Sequence, residues 1–213
     1  MIYELNTYTL KTGSAPEVAK ISGSVGRDIR GDNYGKLEGY WITEIGQINQ
    51  VMHLWSYASF DERSRLRGEL AKNERWQQEY LPLLHAKLIR RDVRLLNAII
   101  DPIKPAGDTK VYEYRSYRCR PGGAELWVSL FLKYRKVRER YSKIVAMFTT
   151  EAGQPNEVSH IWAYPDLNAR NQARTDSIKD PDYQAFLAQS EGMQLTEEMH
   201  CTIMVPAPHS PLG

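Results

Sequence analysis

Val51-Met52-His53-Leu54-Trp55-Ser56-Tyr57 returns 107 residues later as Val158-Ser159-His160-Ile161-Trp162-Ala163-Tyr164. A chain that carries a strand-like stretch twice is constrained to fold as two related halves. At the same offset, Thr43 to Tyr57 and Thr150 to Tyr164 are identical at nine of fifteen positions. Ile2-Tyr3-Glu4-Leu5-Asn6-Thr7-Tyr8 aligns with Val111-Tyr112-Glu113-Tyr114-Arg115-Ser116-Tyr117, and Arg63 and Arg67 align with Arg170 and Arg174. The repeat is about half of the 213 residues, too long for a solenoid unit and right for a small domain. The expected organisation is two domains, residues 1–100 and 110–205. A linker, Asp101 to Asp108, joins them, and Pro206 to Gly213 forms a tail without periodicity.

Each half reads as β-α-β-β-α-β, the ferredoxin-like order. Tyr3, Leu5 and Thr7 alternate with Ile2, Glu4, Asn6 and Tyr8 in a first strand. A helix follows from Pro16, with Val18, Ile21, Val25 and Ile29 at helical spacing and Gly23 and Gly26 weakening it. In the second half Leu126, Leu130, Tyr134, Val137 and Tyr141 form the apolar stripe. Lys133, Arg135, Lys136, Arg138, Glu139 and Arg140 then read as its solvated face. Tyr40 to Glu44 and Gln50 to Ser56 flank a turn at Gly46, and Ser59 or Asp61 caps the next helix, with Asp166 or Asn168 in the copy. The last strands are Val93 to Ile99 and Met199 to Val205.

Helices in such a unit cover one face of the sheet and leave the other bare. Val51, His53, Trp55 and Tyr57 share one face of the third strand, and Met52, Leu54 and Ser56 share the other, so whichever face lacks helices still presents large groups. Monomers rarely leave such a patch in water. The expected fold class is therefore α+β, two ferredoxin-like (β-α-β-β-α-β) repeats packed sheet to sheet as a pseudo-dimeric α/β barrel.

Met-Ile-Tyr-Glu-Leu at the start, Gly39 to Gly46, and His53-Leu-Trp-Ser-Tyr57 followed by Arg63 resemble NIPSNAP domains, and the resemblance extends over both halves. It implies the dimeric α/β-barrel superfamily, here with a fused pair in place of a homodimer. That superfamily includes cofactor-free oxygenases, isomerases, haem-binding enzymes and non-catalytic members. NIPSNAP proteins have no general assigned reaction, and eukaryotic members are linked to mitochondria and protein partners. The family pattern carries Arg two residues after the first-strand Glu; Arg115 keeps it and Asn6 departs from it.

His53 and His160 are the candidate acid/base residues, because imidazole changes charge near neutral pH. Around them Glu4, Tyr8, Trp55 and Tyr57 form a polar-aromatic set that Glu113, Arg115, Tyr117, Trp162 and Tyr164 repeat. Two readings follow. In one, a small apolar or aromatic metabolite enters the lumen between the sheets and undergoes cofactor-free isomerisation, cyclisation or oxygenation. In the other, the same residues only complete the core of a non-catalytic binding or protein-interaction module. A lumen cavity of a few hundred Å³ would favour the first and a filled lumen the second. Because Arg115 has no charged counterpart at Asn6, a single active site biased toward Arg115, Tyr117 and His160 is expected. Arg63/Arg67 and Arg170/Arg174, spaced i and i+4, read either as solvated edges or as recognition of a partner's anion.

Other chemistries find little support. A net charge of +2 gives no basis for nucleic acid, and no apolar run reaches the roughly 18 residues of a membrane span. No His-x-x-x-His or Cys-x-x-Cys spacing and no nucleotide-binding glycine loop occur, so neither metal nor cofactor is expected. The first residues enter a strand pattern rather than a leader, and Cys119 and Cys201 make no disulfide framework, so a cytoplasmic protein with reduced thiols is expected. An exposed edge strand in either half could pair with another chain, which leaves a homo-oligomer open.

Overall fold

Alternation in the first nine-residue strand, β1 (Ile2–Leu10), sends Tyr3 and Leu5 to one face and Glu4, Asn6 and Tyr8 to the other, and the whole architecture follows that division. The computed structural model describes residues 1–213. After β1 come α1 (Ala15–Ile21), a π-helical turn (Ser22–Gly26), α2 (Arg27–Arg30), β2 (Lys36–Ile45), β3 (Gln50–Tyr57) and α3 (Phe60–Lys72). A second π-helical turn (Trp76–Tyr80), α4 (Leu81–His85) and β4 (Leu88–Ile100) complete the first half. The second half repeats the order with β5 (Val111–Cys119), α5 (Gly123–Glu139), β6 (Lys143–Ala152), β7 (Glu157–Tyr164), α6 (Leu167–Lys179), α7 (Pro181–Met193) and β8 (Thr196–Pro206). The side chains of Ser59 and Asp166 cap α3 and α6 by accepting from Glu62 N and Ala169 N. Gly46 and Gly153 both turn their hairpins at φ +106°, a conformation side chains resist.

The eight strands close into one antiparallel barrel in the order β1-β3-β2-β8-β5-β7-β6-β4, with β4 returning to β1. The halves meet through hydrogen-bonded edges as well as faces. β2 pairs with β8, placing Ile42 opposite Val205, and β4 pairs with β6, placing Ala98 opposite Phe148. Closure consumes the edge strands that could have recruited another chain. No helix is long and apolar enough to cross a membrane.

The lumen is a packed core shared by both halves. Tyr3 lies against Phe148 with ring centroids 5.3 Å apart, Trp41 against Tyr112 at 5.7 Å, and Leu54 and Met204 fill between them. The helices pack outside, on Tyr8, Tyr40 and Val51 in one half and on Tyr117, Val158 and Trp162 in the other. The histidine-aromatic face therefore lies beneath the helices. The expectation of a ligand in the lumen is corrected: Tyr3, Leu54, Tyr112 and their neighbours occupy that space.

Two further differences have simple causes. In α5 Leu130 is buried as expected, but the rest of the buried stripe is Ala124, Trp127, Val128 and Phe131, while Leu126 is exposed, because the bulkiest aromatic residues took the sheet-facing side. The same helix buries Arg138 at 6% exposure over the ring of Trp162 instead of leaving it solvated. The tail is also structured. Ala207 N donates to Tyr40 O at 2.9 Å, Ser210 Oγ accepts from Tyr40 N at 3.0 Å, and Leu212 enters the lumen core.

Candidate functional site

Each half holds the same construction under its helices, set by strand register. In the first half, Glu4 stands opposite Trp55 and Asn6 opposite His53, and in the second, Glu113 stands opposite Trp162 and Arg115 opposite His160. All of these face the helices, so the residues expected to form a site are brought together, though as two separate sets on opposite flanks of the barrel.

At the base of each set sits a carboxylate with no exposed surface. Glu4 is held by Arg63, by Arg67 at 3.1 Å and by Arg91 at 3.5 Å, and Asn6 donates to it at 2.7 Å. Glu113 is held by Arg115 at 2.9 Å, Arg170 at 2.7 Å and Arg174 at 3.8 Å. The arginines spaced i and i+4 on α3 and α6 thus recognise the chain's own carboxylate. Burial opposes ionisation of both acids, but Arg67, Asn6 and Arg63 keep Glu4 below its usual range. Arg170, Cys201 and Arg115 likewise bring Glu113 to about 2.

The missing cation at Asn6 is restored from another strand. Arg91 of β4 donates from Nε to Asn6 Oδ1 at 2.9 Å and lies opposite Tyr8, where β8 offers Met199 opposite Tyr117. Asn6 with Arg91 therefore does the work of Arg115 with Met199. The charge asymmetry expected to mark one half disappears in three dimensions.

The histidines are fixed in one tautomer. Trp55 Nε1 donates to His53 Nδ1 at 2.7 Å, and Trp162 Nε1 donates to His160 Nδ1. Nδ1 is thereby an acceptor, and the proton of the neutral ring sits on Nε2. Burial, reinforced by Arg30, Arg91 and Arg67, holds His53 well below the usual imidazole range. Burial and Arg115 push His160 down to about 3. Neither ring is a proton acceptor at neutral pH in this state. Each offers an N–H.

Space distinguishes the halves. A cavity of about 480 Å³ opens beneath the helices of the first half, lined by Tyr8, Tyr40, His53, Trp55, Trp76 and Tyr80 among others. Its counterpart beside His160 is about 170 Å³. The cause is the first helix. In α5, Trp127 and Phe131 stack on the His160 ring at 5.7 and 6.2 Å. The stretch from Ala15 to Arg30 contains no aromatic residue and supplies Ser22 and Gly26 to the cavity wall instead. His53 accordingly stacks on Tyr40 across 5.3 Å and faces open space, whereas His160 Nε2 is buried without a partner. The larger space thus lies in the first half and not around Arg115, Tyr117 and His160.

Several lining residues were not anticipated. Arg30, 4% exposed, lies 3.2 Å over the Trp55 ring and donates to Tyr57 Oη and Tyr34 O at 2.9 Å. His209, from the tail, closes another side 4.5 Å from Tyr40. The repeat carried a signal for the first of these, since Arg30 and Arg138 both stand at the end of their first helix over Trp55 and Trp162. The charge run around Arg138 obscured it. Nothing in an aperiodic tail announced His209. No three His, Cys, Asp or Glu side chains are grouped as metal ligands would be.

A closed eight-stranded barrel of two ferredoxin-like halves, with a buried carboxylate-arginine cluster and a Trp-His pair in each, is a fused form of the dimeric α/β-barrel class. The NIPSNAP family profile matches residues 3–98 and 112–211, and the chain belongs to the NIPSNAP family. It is 31% identical over 216 residues to mouse NipSnap homolog 3B, covering 99% of this chain and 85% of that protein. Human NipSnap homolog 3A is 29% identical over 217 residues, covering 100% and 86%. Among solved structures, a Fusobacterium nucleatum protein provisionally named a monooxygenase superposes with a TM-score of 0.70 at 10% identity, covering 97% of this chain and 92% of that one. An anthrone oxidase-like protein superposes at 0.67 and 10% identity, covering 96% and 90%. At such identities these two establish the shared fold alone.

Proposed function

We propose that this protein binds a small aromatic or apolar molecule in the cavity beneath the helices of its first half. The observation that carries the reading is the cavity itself, about 480 Å³ walled by Tyr40, Trp55, Trp76 and Tyr80, a size and lining suited to a compact organic ligand. His53 supplies a polar contact, because Trp55 holds Nδ1 and leaves Nε2–H to donate to a ligand oxygen. The second half then acts as a structural partner whose equivalent space is plugged by Trp127 and Phe131.

Cofactor-free isomerisation, cyclisation or oxygenation with histidine as acid/base has weaker support. Burial disfavours the imidazolium, and the nitrogen that could accept a proton is occupied. Any turnover here would rest on ligand positioning and on donation from Nε2–H. Fold similarity to proteins named as oxidases does not supply a mechanism.

The reading is tested with N-phenyl-1-naphthylamine, an uncharged aromatic probe, titrated against the wild type and against Ala71→Trp. Ala71 is an exposed residue on the cavity wall, so the larger side chain blocks the space without entering the core. Saturable one-to-one binding, weakened at least tenfold in Ala71→Trp, is expected. Absence of saturable binding, or binding indifferent to the substitution, would sink the reading.

A further inference from the structure

We infer that the ligand of the first-half cavity is an anion with an aromatic body, an aromatic carboxylate, whose charge is taken by Arg30. This rests on the binding reading above and goes beyond it by fixing the ligand's charge.

Ionic bookkeeping around the cavity leads to this assignment. Four arginines line it, Arg27, Arg30, Arg67 and Arg91, and no aspartate or glutamate does. Arg27 is paired with Asp32 at 2.8 Å. Arg67 and Arg91 share Glu4 with Arg63, so three guanidinium groups rest on one carboxylate. Arg30 has no carboxylate at all. Its Nη2 donates to a phenol and a backbone carbonyl, and its Nε is buried without any acceptor. A guanidinium at 4% exposure with no counter-ion is costly, since burial penalises the charged form and an arginine does not escape by losing its proton. The ring of Trp55 beneath it offsets only part of that cost.

An anion entering the cavity supplies what is lacking. A carboxylate at Arg30 would meet the Nη1–H donors that the bonds made by Nη2 leave free, a positive field from Arg67 and Arg91, and Nε2–H of His53. Arg30 and His53 are themselves buried, at 4% and 5% exposure, where charge-assisted hydrogen bonds are strongest. The aromatic walls then receive the body of the ligand. The second half provides the contrast. Arg138 occupies the equivalent place over Trp162 but donates to Ser142 Oγ at 2.6 Å, and Phe131 and Trp127 take the room a ligand would need. Arg138 likewise lacks a carboxylate, but only the first half joins such an arginine to a cavity of ligand size.

The test uses the intact chain and two probes of the same shape, 2-naphthoate and its uncharged amide, 2-naphthamide, titrated at pH 7.5 by calorimetry. Wild type is expected to bind the carboxylate at least tenfold more tightly than the amide. Arg30→Met is expected to lower carboxylate affinity to the amide's level while leaving the amide within about threefold. Because Arg30→Met removes a buried side chain and could unfold the protein, Arg91→Met, at a half-exposed position, is a second variant, expected to weaken the carboxylate alone by a smaller factor. Equal binding of the two probes by wild type would overturn the anion assignment and leave the cavity reading standing. Failure of both probes, with N-phenyl-1-naphthylamine also unbound, would remove both.

Discussion

Trp55 donates a hydrogen bond from its indole N–H to Nδ1 of His53 across 2.7 Å, and Trp162 makes the same bond to His160 on the far side of the barrel. The duplicated His-x-Trp therefore places donor and acceptor two residues apart on one face of a strand, where they can meet. Its consequence is a histidine that is neutral and locked in one tautomer.

The first prediction is a pH dependence of opposite sense to that of a paired histidine. Both rings have lowered pKa values in the folded state, His160 to about 3, so below the ordinary imidazole value of roughly 6.5 the unfolded chain binds protons that the folded one refuses. Stability is complete above that pH and falls as the solution is acidified, by at most about 1.4 kcal/mol per pH unit for each group. Urea unfolding at pH 7.5, 6.0 and 5.0 should show the decline, and His160→Asn should reduce its slope to the part contributed by His53. Nitrogen NMR should find Nδ1 unprotonated in both rings throughout this range. Titration of either ring near pH 6.5 in the folded protein would contradict the assignment.

The second prediction concerns the carboxylates. Glu4 and Glu113 are fully buried and each is the one carboxylate shared by three arginines, so Glu113→Gln leaves like charges facing one another around a neutral amide. Breaking a buried ion pair costs about 3 kcal/mol at the lower end, the end that applies because the arginines are partly hydrated. Glu4→Gln should cost a similar amount, as Arg91 makes its cluster equivalent. Chemical denaturation measures both, and a loss under about 1 kcal/mol in either would show that the cluster is solvated after all.

The duplication, the strand alternation and the helix caps were legible because each is a local pattern that tertiary packing preserves. The direction of the histidine face was not. Every residue of β3 and of β7 is buried, so both faces of these strands carry large side chains and hydrophobicity cannot say which meets the helices. The asymmetry at Asn6 was visible, but its repair by Arg91 lay across a strand pairing that no sequence offset reveals. Comparison of Ala15 to Arg30 with Gly123 to Glu139, one without aromatic residues and the other with Trp127 and Phe131, did contain the difference in cavity size. It became interpretable only once both were seen to face a histidine.

The third prediction addresses the tail. Leu212, 5% exposed, is packed with the lumen residues, and its carbonyl accepts from Tyr112 Oη. The tail thereby ties the end of the second half to the mouth of the barrel and carries His209 to the first-half cavity. Leu212→Ala should cost about 2–5 kcal/mol, the range for truncating a buried leucine. Pro211→Ala, at an exposed neighbour, should change stability by no more than about 0.5 kcal/mol. Equal and negligible effects from both in urea unfolding would mean that the tail does not hold the barrel.

The last prediction follows from the plug in the second half. Phe131 stacks on His160 and meets Trp162 and Phe186 edge-on, with ring centroids 6.2 to 6.3 Å apart. Phe131→Ala should cost about 3–5 kcal/mol, because it removes a buried aromatic ring and leaves a void beside a rigid strand. The same void joins the existing 170 Å³ space next to Arg138 and Trp162, and so reproduces in the second half what small residues on the first helix already provide in the first. Ligand stoichiometry is the discriminating measurement. Calorimetry with 2-naphthoate should give one site in the wild type and approach two in Phe131→Ala, with the new site lost again on adding Arg138→Met. A destabilised Phe131→Ala that remains folded by circular dichroism yet still binds one equivalent would mean that the aromatic plug is not what separates the two halves. The difference would then have to come from His209 or Arg91, which only the first-half cavity possesses.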